Sequence, residues 1–247
     1  MFLDQTALAI AAIFIFAGVV KGTVGIGLPT VSVGLMSQFV PPHMAIAIVV
    51  FPLLFSNIWQ IIRSKVSLKT VLDYWLLIAL LVVSLWVTTF FTVQMPAEFL
   101  LGVIGTAIVI FATSSLAKSP PKLPNGSNPV AQAVTGISAG ILGGLTSIWS
   151  PPIVTFLIAK RVENDEFVRA AGLFVFVGAI PLTIGYWQTG LLNGNTAPLS
   201  AMMIFPTLIG FSLGEIIRRR LQPERFRTVL LWMFLLMGIN LLRRAIF

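Results

Sequence analysis

Six apolar runs, at about residues 44–62, 71–93, 97–117, 167–187, 197–217 and 226–242, each come near the ~20 residues an α-helix needs to cross a bilayer. Four shorter runs lie at about 6–20, 29–40, 129–143 and 152–160. At ~1.5 Å per residue these reach only ~14 to ~24 Å, less than the ~30 Å hydrocarbon core. They form two pairs. "KGTVGIGLP" (21–29) separates the first pair and "GGLTSIWSPP" (143–152) the second. Glycine and proline interrupt helices. The pattern therefore predicts an all-α, polytopic membrane bundle with two broken or re-entrant short-helix pairs, each accompanied by three full spans.

The two pairs read as a repeat. "AGVVKGTVGIGLPTV" (17–31) lies on "AGILGGLTSIWSPPI" (139–153) without a gap, matching Ala17-Gly18 to Ala139-Gly140, Gly22 to Gly144 and Pro29 to Pro151. Downstream, "FPLLFSNIWQ" (51–60) resembles "AIPLTIGYWQ" (179–188), with Pro52 near Pro181 and Trp59-Gln60 on Trp187-Gln188. The polar stretch "KSPPKLPNGSNP" (118–129) is the natural linker. The expected organisation is one membrane domain made of a first repeat at 1–117, the linker at 118–129 and a second repeat at 130–247.

Composition agrees with a membrane protein. The chain is 57% hydrophobic and 10% charged, with mean hydropathy +0.98, whereas soluble domains carry about 25% charged residues. It has no cysteine, which excludes disulfides and thiolate metal sites, and nothing calls for a cofactor. The net charge of +8 sits between apolar runs and suits membrane anchoring, not nucleic acid. The start, "MFLDQTALAI", lacks a basic region before its apolar run and reads as a mature first segment, not a cleaved signal peptide.

Basic residues give an orientation. Arg63, Lys65 and Lys69, then Lys118 and Lys122, then Lys160, Arg161 and Arg169, then Arg218, Arg219, Arg220, Arg225 and Arg227 mark four loops as cytoplasmic. The loops "TVQMPAEF" and "QTGLLNGNTAP" face outward on this scheme, and only Arg243-Arg244 stands against it. The helix ending in Trp59-Gln60 then runs inward and that ending in Trp187-Gln188 outward. The repeats are inverted, as in many secondary transporters with midplane sites at broken helices.

The breaks carry the candidate chemistry. A helix N-terminus near Leu28-Pro29, and another near Pro151-Pro152 with Ser150 as N-cap, would offer free N–H groups and partial positive charge. Together they make an anion site. Lys21 adds a full charge, and Thr23, Thr146, Ser147 and Ser150 add hydroxyls; neither break contains an acid. Gly22, Gly25, Gly27 and Gly144 admit close backbone approach, while Asn57, Gln60 and Gln188 are candidate polar lining. Plainer readings stand beside these. The glycines serve helix packing alone, Lys21 snorkels to the interface, Trp59 and Trp187 belong to an aromatic belt, and His43 is a loop residue.

The inverted pair, the Gly-rich break ending in Pro29 and "AGILGGLTSIWSPPI" after a central linker resemble the TauE/SafE family of sulfite-exporter permeases. The resemblance spans nearly the whole chain on loose glycine and proline motifs. It implies a multi-pass permease of the plasma or inner membrane for small sulfur-containing anions such as sulfite, sulfonates or sulfoacetate. The expected partners are the anion and the lipid bilayer, with proton coupling and homo-oligomerisation left open. Trp149, at the position matching Gly27, would reshape the pocket. The alternatives are a passive anion channel, a structural membrane subunit or, more remotely, an intramembrane enzyme. The last would need nucleophiles, bases or metal ligands inside the membrane. The sequence offers one loop histidine, no cysteine and no intramembrane acid pair.

Overall fold

The computed structural model describes residues 2–64, 68–116, 123, 128–218 and 223–247, without the side chains of residues 2–4, 63–64, 164–165 and 223–227. Lys65, Lys118, Lys122, Arg219, Arg220, most of the 118–129 linker and the side chains of Arg63, Arg225 and Arg227 lie outside this description. The described residues form helices and no strands: α1 (Phe2–Val24), α2 (Leu28–Met36), α3 (Pro42–Ile48), α4 (Val50–Ser64), α5 (Leu68–Asp73), α6 (Trp75–Thr92), α7 (Ala97–Leu116), α8 (Pro129–Thr146), α9 (Ser150–Ala159), α10 (Asn164–Gln188), α11 (Thr196–Met202), α12 (Ile204–Arg218) and α13 (Pro223–Ile246). Seven stretches among them, counting α3–α4 and α11–α12 as single spans, are long and apolar enough to cross a bilayer. Large apolar side chains such as Ile110, Phe205, Trp232 and Leu236 point outward, as lipid-facing residues do. The protein is an all-α, multi-pass membrane protein.

The expectation that both members of each pair are short holds only for the second member. α1 has 23 residues and continues through Lys21-Gly22-Thr23, and α8 has 18. Only α2, with 9 residues, and α9, with 10, fall well short of a span. Lysine is a good helix former and a single interior glycine costs only ~1 kcal/mol, so these residues do not end the helix. The span expected at 44–62 is itself interrupted at Val49. Pro52 lacks the N–H that would bond Ile48 O. Ser200 Oγ donates to that carbonyl at 2.7 Å and accepts from Phe51 N at 3.1 Å, closing the gap.

Small residues bring particular helices together. Gly18 of α1 packs on Thr207 and Phe211 of α12, and Gly22 one turn later on Phe211 and Glu215, so these helices run parallel. Gly136, Gly140 and Gly144 of α8 meet Leu77–Leu81, Leu81–Leu85 and Leu85–Thr88 of α6 in the same parallel sense. Side chains at these glycines would strike the neighbouring backbone, as in small-residue seams between membrane helices. α7 and α13 pack antiparallel, Gly102 against Ala245 and Gly105 against Gly238 and Leu242. α4 and α10 also cross antiparallel, with Gln60 on Val168 and Gly172, and Asn57 beside Val175.

The two pairs open toward opposite ends of the bundle. α2 leaves its break toward the end where Arg244 Nη1 donates to Ser37 O at 2.6 Å. α9 leaves its break toward the end where Lys160 Nζ sits 4.1 Å from the Tyr74 ring centroid. The start of α8 is at that same end, since Gln132 Nε2 donates to Asp73 O at 3.1 Å. There Tyr74 donates to Glu166 Oε1 at 3.5 Å. Burial, then the Glu166 and Asp73 carboxylates, push the Tyr74 phenol upward, so the donor keeps its proton.

Candidate functional site

α1 ends in a turn made for close approach. Gly25 and Gly27 take φ of 89° and 102°, a region that favours glycine. Gly25 N donates to Lys21 O at 2.7 Å, ending the helix. α2 then begins at Leu28-Pro29, as the sequence suggested. Leu28 and Thr30 carry first-turn N–H groups without intrahelical acceptors.

This break walls a cavity of ≈ 10 Å³ lined by Lys21, Gly25, Ile26, Gly27, Leu28, Pro29, Leu53, Asn57, Ser150 and Val175. Its volume is at the lower limit for one water molecule. Five helices and the first break contribute, so the α9 terminus does reach the α1–α2 break. Lys21 is 2% exposed. Its Nζ donates to Ser56 Oγ at 2.9 Å and lies 5.9 Å from the Phe211 ring centroid. Its ammonium is therefore held inside the bundle and does not extend to the surface as a snorkelling lysine does. Gln60 Nε2 donates to Gly25 O at 3.4 Å and Val168 O at 3.3 Å, tying α4 and α10 to the break.

The second break is built differently. Ser147 takes φ 59°, and its Oγ donates to Ile46 O at 3.0 Å. Thr146 Oγ1 accepts from Ile148 N at 3.1 Å. Gly144 O accepts hydroxyl bonds from Thr92 at 2.8 Å and Tyr186 at 2.9 Å. Trp149 is fully buried between Gly143 and Gly178, its indole N–H without a partner among the described residues. The N-cap of α9 is Trp149, not Ser150, which is the first helical residue and receives no capping role. Pro151 and Pro152 at the next positions lack N–H groups, leaving this terminus poor in donors.

Of the residues singled out from sequence, Lys21, Gly25, Gly27, Pro29, Asn57, Ser150 and Pro151 gather at or beside the cavity, with Gln60 adjoining. Gly22 and Gly144 lie on helix seams. Thr23 donates to Val19 O at 2.8 Å within α1. Thr146, Ser147 and Trp149 build the second break. Gln188 pairs at the bundle exterior with Trp86 Nε1 at 3.3 Å. Sequence reasoning missed Ser56, Leu53 and Val175. The spacing Leu53–Asn57 and Ser56–Gln60, four residues each, could have marked one face of α4.

Residues 10–241 match the family model described as Sulfite exporter TauE/SafE. The chain belongs to this family. No curated protein and no solved structure matched it. Membership makes the protein a membrane transporter of a family described by sulfite export, and the seven span-length stretches agree.

Proposed function

We propose that the protein is a secondary transporter of small sulfur-containing oxyanions in the plasma or inner membrane, and that the anion is held at the cavity between the α1–α2 break and the start of α9. The observation that carries this reading is buried Lys21, whose described polar partner is a serine hydroxyl, facing a glycine turn and a helix N-terminus. A buried cation, N–H groups and hydroxyls converge where an anion supplies the missing negative charge.

The packing supports two inverted repeats, 1–117 and 130–247. If α1 corresponds to α8 and α12 to α6, the α1–α12 and α8–α6 seams are equivalent. α4 and α10, and α7 and α13, correspond and run antiparallel, as inversion requires. A cavity of about one water's volume must widen to take an oxyanion, as the relative movement of repeats in an alternating-access carrier allows. Transport is tested by counterflow of labelled sulfite in liposomes. Substrate-driven exchange is expected; a structural subunit gives none, and a passive channel dissipates the gradient without exchange.

A further inference from the structure

Two side-chain amides near Lys21 are locked in one sense. Asn57 Nδ2 donates to Leu53 O at 2.6 Å, and Gln60 Nε2 donates to Gly25 O and Val168 O. Carbonyls only accept, so these contacts decide which end of each amide is nitrogen. The other ends are carbonyl oxygens. Asn57 Oδ1 and Gln60 Oε1 are both buried and have no partner among the described residues. Asn57 lines the same small cavity as Lys21 and Ser150, and it brings a buried, unsatisfied acceptor to that wall.

A fully deprotonated oxyanion offers acceptors alone. It suits Lys21 but sets oxygen against Asn57 Oδ1. An oxyanion retaining one O–H meets both needs: its bare oxygens accept from Lys21, and its hydroxyl donates to Asn57. We infer that the site takes the monoprotonated form of its oxyanion, with Asn57 as the residue that reads the hydroxyl. A proton then crosses with each substrate and no protein group has to release it. This rests on reading the cavity as the anion site.

The charged groups on the elements around the cavity are few. α1 carries Lys21. α12, packed on α1, carries Glu215 and Arg218, and α10 carries Glu166 and Arg169 near its start; the side chains of Asp165 on α10 and Arg63 on α4 lie outside the described set. α2 and α9 have none, with Lys160 following α9 as its C-cap. Titration of any of these changes the affinity for every monoanion alike.

The test compares two probes with the purified full-length protein across the neutral pH range. Sulfite gains or loses its last proton there, and methanesulfonate has no exchangeable proton. The expected result is that affinity for total sulfite falls about tenfold per pH unit on the alkaline side, relative to methanesulfonate. Sulfite affinity that follows the methanesulfonate profile, or improves as pH rises, overturns the inference while leaving the anion site standing. Binding of neither anion removes both. Should sulfite alone bind, Asn57→Leu decides: disappearance of the tenfold step supports the inference, and its persistence overturns it.

Discussion

Residues 25–27 and 147–149 occupy matching places in the overlay of 17–31 on 139–153, yet they use their turns in opposite ways. The first break spends two positive-φ glycines on opening a space beside a buried lysine. The second puts a left-handed serine and a buried tryptophan where the first has small residues, and fills its space. Its Ser147 and Thr146 hydroxyls are turned onto backbone carbonyls of α3 and α8. One helix-turn-helix plan thus walls a cavity in one half and serves as a packed strut in the other. Pseudo-symmetric scaffolds fix where the backbone breaks; side chains decide which break is vacant.

The comparison can be broken at its heaviest point first. Trp149→Ala removes the side chain that fills the second break, and a loss of about 3–5 kcal/mol is expected from cavity formation. Thermal unfolding in detergent measures it, and an unchanged midpoint means that this break is not held by packing. Lys21→Met keeps the stem and deletes the charge of the first break. Losing one charge-assisted contact of about 2–3 kcal/mol weakens anion binding roughly 30- to 150-fold, with the protein still folded and inserted. Binding assays at equal protein level check this, and wild-type affinity in the variant places the anion elsewhere.

Two smaller changes sharpen the contrast. Gly27→Ala forces a Cβ into φ 102° and should cost about 1–2 kcal/mol, lowering both the melting midpoint and transport. Ser147→Gly relieves a left-handed serine while deleting its bond to Ile46 O. These effects of about 1 kcal/mol each oppose one another, so stability should stay within about 1 kcal/mol of wild type. Equal sensitivity of the two positions in one melting series contradicts the proposed division of roles.

Much of this architecture was legible beforehand. Apolar run length gave six of the seven spans, and the Leu28-Pro29 start of α2 followed from proline's fixed φ and missing N–H. The extension of α1 through Gly22 was misread, because a glycine that makes room for the backbone of α12, distant in sequence, looks locally like one that ends a helix. Lys21 was readable as an anomaly, but its Ser56 partner required knowing which face of α4 turns inward. Ser150 was misjudged as a cap since a serine before proline has the right local chemistry; the chain turns one residue earlier, where Trp149 is anchored between Gly143 and Gly178.

The α1–α12 seam bears on how the chain is made. Thr23 Oγ1 bonds Gly214 O across a separation of 191 residues. At ~5–20 residues per second of synthesis, the first helix waits roughly 10–40 s for its mate. During that interval its glycine groove at Gly18 and Gly22 has no native neighbour and faces lipid or the insertion machinery. α6 and α8 follow each other by only about fifty residues and can zip early. A ribosome stalled before α12 therefore leaves the first helix without the partner its glycine seam is shaped to meet.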